Sequence, residues 1–255
     1  MRLILLGSGT STGVPRIGGD WGECDPRDPR NRRSRASILV ESDAGTRLLV
    51  DTSPDLRTQL LDNGIGRIDA VFWTHDHADH CHGIDDLRPL RFGRSGPIPG
   101  FASTETVRRL RQRFGYVFAG RDGYPTICQL ETLDVVRIHA GFGIASCEMP
   151  HGPISSTGYR FDADGKSLGY ATDFAAITDE MVALFDGVDL LVSDCLRREA
   201  HPTHANLQMA LELAQRCRAR RTVLTHLDKS MDYLTLSGEV PPGVLVGYDG
   251  MDLLA

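Results

Sequence analysis

Six times in this 255-residue chain a short apolar run ends and a residue able to bind a metal follows at once. Leu48-Leu49-Val50 leads to Asp51, Val71-Phe72-Trp73-Thr74 to His75, and Ile144 to Pro150 leads to His151. Gly169-Tyr170-Ala171-Thr172 leads to Asp173, Leu190-Leu191-Val192-Ser193 to Asp194, and Val223-Leu224-Thr225 to His226. Runs of this length, rich in β-branched and aromatic residues, read as buried strands. Helical patterns separate several of them: Leu56 to Leu61 ending at Gly64, Thr178 to Phe185 ending at Gly187, and the amphipathic Leu207 to Cys217. The layout is strand, polar residue, loop, helix, repeated. It brings many strand ends to one edge of the sheets, which is where sites form in such architectures.

With 41% apolar and 24% charged residues, the chain can fill one large domain over residues 1–255. A formal net charge of −6 gives no global field for a polyanion, so no large nucleic acid is expected as a partner. Arginine carries nearly all the positive charge, Lys166 and Lys229 being the only lysines. The cysteines (Cys24, Cys81, Cys128, Cys147, Cys195 and Cys217) include no CxxC pair and read as reduced thiols, which implies a cytoplasmic protein. Leu3 to Leu6, cut off by Gly7-Ser8-Gly9, is too short for a signal peptide or membrane helix, and no membrane partner is expected. Gly13 to Arg35 and Gly93 to Gly100 read as loops, and Val246 to Leu253 as a hairpin turning at Asp249-Gly250.

The central motif is Thr74-His75-Asp76-His77-Ala78-Asp79-His80, directly after a buried strand. Imidazole nitrogen with carboxylate oxygen suits Zn, Mn or Fe better than Ca or Mg. His75 and His77 alternate, so a turn past the strand can aim both at one ion, while Asp79 and His80 point elsewhere and can serve a second. One ion needs three or four ligands; six or more convergent ligands imply two.

These residues match the HxHxDH signature of the metallo-β-lactamase superfamily, and His151, Asp173 and His226 follow in that family's order. The resemblance implies an α+β fold, a four-layer αββα sandwich. It implies two divalent transition metal ions, Zn or Mn: one on His75, His77 and His151, another on Asp79, His80 and His226, with Asp173 bridging. Asp51 resembles the strand-end aspartate that orients the histidine loop. No such support extends to His139, read as a surface strand residue, or to His82, which at most supports a ligand.

Further segments resemble the phosphodiesterase family that opens phosphoribosyl 1,2-cyclic phosphate, a relative of the tRNA 3′-processing endonucleases. They are Gly7-Ser8-Gly9-Thr10, Gly13-Val14-Pro15, Pro89-Leu90-Arg91-Phe92-Gly93, Thr203-His204-Ala205-Asn206-Leu207 and Gly247-Tyr248-Asp249-Gly250-Met251. That family carries a CxCxxC loop which, with a distant histidine, holds a structural zinc. Here Cys24 alone remains, and Lys229 stands about where the histidine would be, so no structural zinc is expected.

The resemblance implies that His204 enters the site without being a ligand, where it can protonate a leaving alkoxide or hold a phosphoryl oxygen. His201 is its local competitor. The candidate catalytic residues are His204 and Asp79. The expected reaction is hydrolysis of a small phosphodiester, cyclic or nucleotide-like, by a metal-bridging hydroxide. Arg88, Arg91 and Arg94 follow the metal loop and could meet a substrate phosphate. A homodimer is compatible with the sequence. Three alternatives compete: a glyoxalase-type thioester hydrolase, a tRNA-processing nuclease and a non-catalytic nucleotide-binding protein. Residues 227–255 are too few for the first one's extra helical domain, the acidic chain lacks the second one's RNA-clamping arm, and the full ligand set disfavours the third.

Overall fold

A computed structural model describes residues 1–120, 123–133 and 136–255. Its strands form two seven-stranded sheets. The first is built from β1 (Arg2–Gly7), β2 (Ser37–Glu41), β3 (Arg47–Val50), β4 (Ala70–Phe72), β5 (Ile98–Ala102) and β6 (Cys128–Thr132), side by side in that order. The second takes β7 (Val136–His139), β8 (Phe142–His151), β9 (Ile154–Ala163), β10 (Lys166–Ala171), β11 (Leu190–Asp194), β12 (Arg221–Thr225) and β13 (Val244–Val246). β14 (Met251–Leu254) returns to the first sheet, antiparallel to β1.

Among the described residues seven α-helices accompany them: α1 (Leu56–Asp62), α2 (Ala78–Cys81), α3 (Leu87–Arg91), α4 (Thr104–Ala119), α5 (Asp179–Leu184), α6 (Leu207–Arg216) and α7 (Tyr233–Glu239). The alternation of β3 shows why the sheets need cover on both sides. Leu48 and Val50 enter the core between the sheets, with Phe72, Phe101, Phe161 and Tyr170, while Leu49 packs beneath helices with Leu56, Leu60 and Leu110. On the far side, Met181, Phe185 and Leu213 cover Leu191, and Leu236 joins Leu224. Helices therefore flank both sheets, giving the expected αββα sandwich. Among the described residues no helix is long and apolar enough to cross a membrane.

Strand direction delivers the site. β3 and β4 are parallel, and β1 runs with them because each is antiparallel to β2 or parallel to a strand that is. In the second sheet β10, β11 and β12 are parallel, and β8 runs with them through antiparallel β9. Hydrogen bonds from Thr157 N to the Thr74 carbonyl, and from the Tyr159 hydroxyl to the Trp73 carbonyl, join the two sheets at that shared edge.

Two sequence expectations are corrected. The tail is not a hairpin: β13 pairs with β12 in one sheet and β14 with β1 in the other. Asp249 lies at that crossing, where its buried carboxylate accepts from the amide and hydroxyl of both Ser8 and Ser34. Four donors from distant loops explain why Asp-Gly does not make a two-residue turn here. The Gly93 to Gly100 loop is also shorter than expected, since β5 begins at Ile98.

Candidate metal centre

At the shared edge three strand-following residues leave the sheet with left-handed backbones: Asp51 (φ 64°), Asp173 (φ 62°) and His226 (φ 61°). For a residue with a Cβ this conformation costs about 1–2 kcal/mol. The strain persists because the turn swings each side chain back toward the gap between the sheets. His77 then caps α2, a single turn that presents Asp79 and His80 to the same gap.

Asp51 organises the histidines. It is fully buried, and its Oδ2 lies 2.7 Å from His80 Nδ1. Thr74 donates from its amide to Oδ1 (2.8 Å) and from its hydroxyl to Oδ2 (2.9 Å). With its proton so used, the Thr74 oxygen accepts from His75 Nδ1 at 3.0 Å. His151 Nδ1 donates to the Thr203 carbonyl at 2.7 Å. These contacts turn Nε2 of each ring inward.

What the inward atoms meet is the telling feature. Nε2 of His75, His80 and His226 is buried with no hydrogen-bond partner. His151 Nε2 stands 3.2 Å from His77 Nδ1, two nitrogens facing one another. Asp173 directs Oδ2 to His80 Nε2 (3.1 Å) and Oδ1 to His151 Nε2 (3.7 Å) and His226 Nε2 (3.8 Å). Asp79 Oδ2 lies 3.3 Å from His80 Nε2 and 3.5 Å from His226 Nε2. Ligand atoms of His75, His77 and His151 lie within 4.8 Å of one another, as do those of Asp79, His80 and His226. Buried polar atoms normally find partners, and a cation in each triad, with Asp173 reaching both, would satisfy these inward nitrogens.

Electrostatics point the same way. Burial drives His75 well below the ordinary imidazole range, which leaves it a neutral donor. Burial also opposes charge on His80, but the Asp173, Asp79 and Asp51 carboxylates overcome it and hold that ring well above the ordinary range. His226, against the same cost of burial, is raised to about 10 by Asp173, Asp194 and Asp79. The cluster of carboxylates is a site that attracts cations.

All seven expected ligands meet here, and His204 stands beside them. Its ring lies 4.9 Å from those of His151 and His226, and the His201 ring lies 5.1 Å from it. Other expectations move. His82, read as at most supporting a ligand, is exposed, its ring against Phe114. Arg94 donates to the Ile68 carbonyl, which precedes β4 and so lies at the edge opposite His75. Arg91 donates to the Arg94 carbonyl, and Arg88 lies over the Tyr124 ring, so these arginines serve the far edge of the first sheet. Cys24 donates to the Lys229 carbonyl beside the buried Arg33 guanidinium, which reaches the Asp228 and Met231 carbonyls.

Sequence reading missed two groups. Asp194, taken only as one more strand-end residue, is fully buried between His204 and His226. The other is helix α4, whose Arg113 pairs with Asp76 at 2.8 Å and whose Arg109 does so at 3.4 Å, clamping the metal loop from outside. The available signal was Arg109 and Arg113 one turn apart behind the Ser103 cap. A cavity of about 840 Å³ opens there, lined by Asp76, Ser103, Arg109, Pro150, Gly152 and Thr178.

The model of the beta-lactamase superfamily domain matches residues 46–227. The chain belongs to the metallo-β-lactamase superfamily. Within that superfamily, a diphosphatase of the PhnP family is similar over its whole fold, with TM-score 0.90 and 36% identity across 100% of this chain and 97% of that one. An octanoyltransferase of Porphyromonas gingivalis is 34% identical over 100% of this chain; the chain spans 51%, about half, of that relative's length. Zn(2+)-bound PqqB from Methylobacterium extorquens has TM-score 0.79 at 22% identity, covering 100% of both chains, a likeness of fold.

Proposed function

We propose that the chain is a binuclear metal-dependent phosphodiesterase acting on a small phosphodiester, cyclic or nucleotide-like. The observation that carries this reading is the two ligand triads, buried except for His77, in which Nε2 of His75, His80 and His226 has no hydrogen-bond partner, next to a histidine held by Asp194. One ion would sit on His75, His77 and His151, the other on Asp79, His80 and His226, with Asp173 between them. Zn or Mn ions there would supply Lewis acidity and lower the pKa of a water so that it ionises near neutral pH. The residues do the rest. Asp51 keeps His80 directed inward, and His75 through Thr74. His204, its side chain 15% exposed beside the ligands, holds the proton that a leaving alkoxide takes up. A thiolate leaves without such help, which favours an oxygen ester over a thioester.

A second reading is hydrolysis of a diphosphate ester, favoured by the 36% identity with a chain described as a diphosphatase. Both are tested on metal-loaded protein with bis-aryl phosphate, cyclic ribose phosphates, cyclic nucleotides, a nucleoside diphosphate, a glutathione thioester and a precursor tRNA side by side. Turnover of a small phosphodiester is expected. Turnover of the diphosphate alone selects the second reading, and turnover of the thioester or the tRNA alone overturns both.

A further inference from the structure

Asp194 ends β11 with no solvent exposure, and no step above uses it. Its Oδ2 lies 3.3 Å from His204 Nδ1 and accepts from the Ala205 amide at 3.2 Å. Its Oδ1 faces His226 Nδ1 at 3.5 Å, and neither of those two atoms has another hydrogen-bond partner among the described residues. The two rings stack on one another, 4.9 Å apart and within 19° of parallel, each with Nδ1 toward this carboxylate. A buried carboxylate is costly unless its oxygens are occupied by donors. Here the donors that match it are the two Nδ1–H groups.

Resting on the phosphodiesterase reading, we infer that Asp194 is a shared positioning residue: one carboxylate orients both the ligand His226 and the proton donor His204. A proton on Nδ1 of each ring leaves Nε2 as the working atom. In His226 that atom faces Asp79 and Asp173, where the second ion would sit. In His204 it is the atom available to a leaving oxygen. The arrangement ties the acid to the second metal position, because both rings hang from one group. It also keeps His204 from a rival, for its Nδ1 lies 3.4 Å from Asp173 Oδ1. Without Asp194 that ring would bond the carboxylate expected to bridge the ions.

The test combines Asp194→Asn, His204→Ala and the double variant, with cobalt(II) titration and with turnover of aryl phosphodiesters of graded leaving-group pKa. D194N is expected to lower kcat about 10–100-fold on poor leaving groups, with KM little changed, and to weaken one of two cobalt equivalents by a similar factor. The double variant should turn over no more slowly than H204A within about threefold, since both act through one imidazole. It should still show the weakened cobalt equivalent, which does not pass through His204. Additive losses in kcat, or cobalt binding unchanged in D194N, would overturn the inference. If the wild-type chain hydrolyses no phosphodiester, the functional reading fails, while the cobalt titration still decides the hold on His226. If D194N does not fold, histidine nitrogen NMR of the zinc-loaded wild type decides instead: both rings should carry a proton on Nδ1, alone in His226 and with or without a second on Nε2 in His204, and a ring with a bare Nδ1 at either position refutes the assignment.

Discussion

Asp51→Asn is the sharpest test of how the centre is held. Asparagine fits the position, because its side chain tolerates the left-handed backbone found there (φ 64°) and its volume is nearly unchanged. What changes is the hydrogen bonding. The carboxylate accepts from the Thr74 amide and hydroxyl and from His80 Nδ1. An amide offers one acceptor oxygen, and its NH₂ must then face either the Thr74 amide or the His80 Nδ1 proton. One buried donor is left unsatisfied, which costs about 1–3 kcal/mol. If the loss falls on His80, its Nε2 is a poorer ligand. If it falls on Thr74, the hydroxyl that accepts from His75 turns away. Each way one ion loses an oriented ligand, and loss of such support lowers metal affinity about 10–100-fold, or about 1.4–2.7 kcal/mol. The two figures agree. Competition of wild type and D51N against a chromophoric chelator for zinc measures it directly. Affinities for both equivalents within twofold of wild type would refute the assignment of Asp51.

His204→Ala should lower turnover of a poor-leaving-group phosphodiester about a hundredfold while metal content stays constant; loss of metal would make His204 a ligand instead. Elemental analysis of protein purified without chelator should find two transition-metal ions per chain and no third held at Cys24. Asp232, against the cost of burial, is held at about 2 by the Thr235 and Asp25 amides and the Asn31 side chain. A depressed carboxylate adds stability above the ordinary carboxylate range and loses it as pH falls through about 2. Asp232→Asn should therefore be less stable than wild type at pH 7, and the gap in urea midpoint should close between pH 4 and 2; a gap independent of pH would exclude this role. Arg33→Met strands the Asp228 and Met231 carbonyls, both in the loop after His226, and should cost about 2–4 kcal/mol by urea denaturation.

The linear order of residues already determined much of this protein. Each apolar run followed by Asp or His becomes a strand whose end reaches the site, because strand length and buried faces are local properties of sequence. His75, His77, Asp79 and His80 were legible for the same reason: a turn and one helical cycle bring them together locally, and Asp51, Arg109 and Arg113 from elsewhere in the chain then fix the loop. Local signals were weaker where the partner is far away. Asp249-Gly250 has the composition of a tight turn, yet Ser8 and Ser34 claim the aspartate, and those donors are more than two hundred residues distant. Arg88, Arg91 and Arg94 follow the metal loop in sequence, but α3 carries them toward the opposite edge, where Arg94 meets Ile68. Asp194 looked like any strand end until the stacking of His204 and His226 made it their common acceptor. Tertiary structure alone decides such points, because a side chain's role depends on which donors and charges the fold brings within about 4 Å, and sequence separation carries no information about that distance.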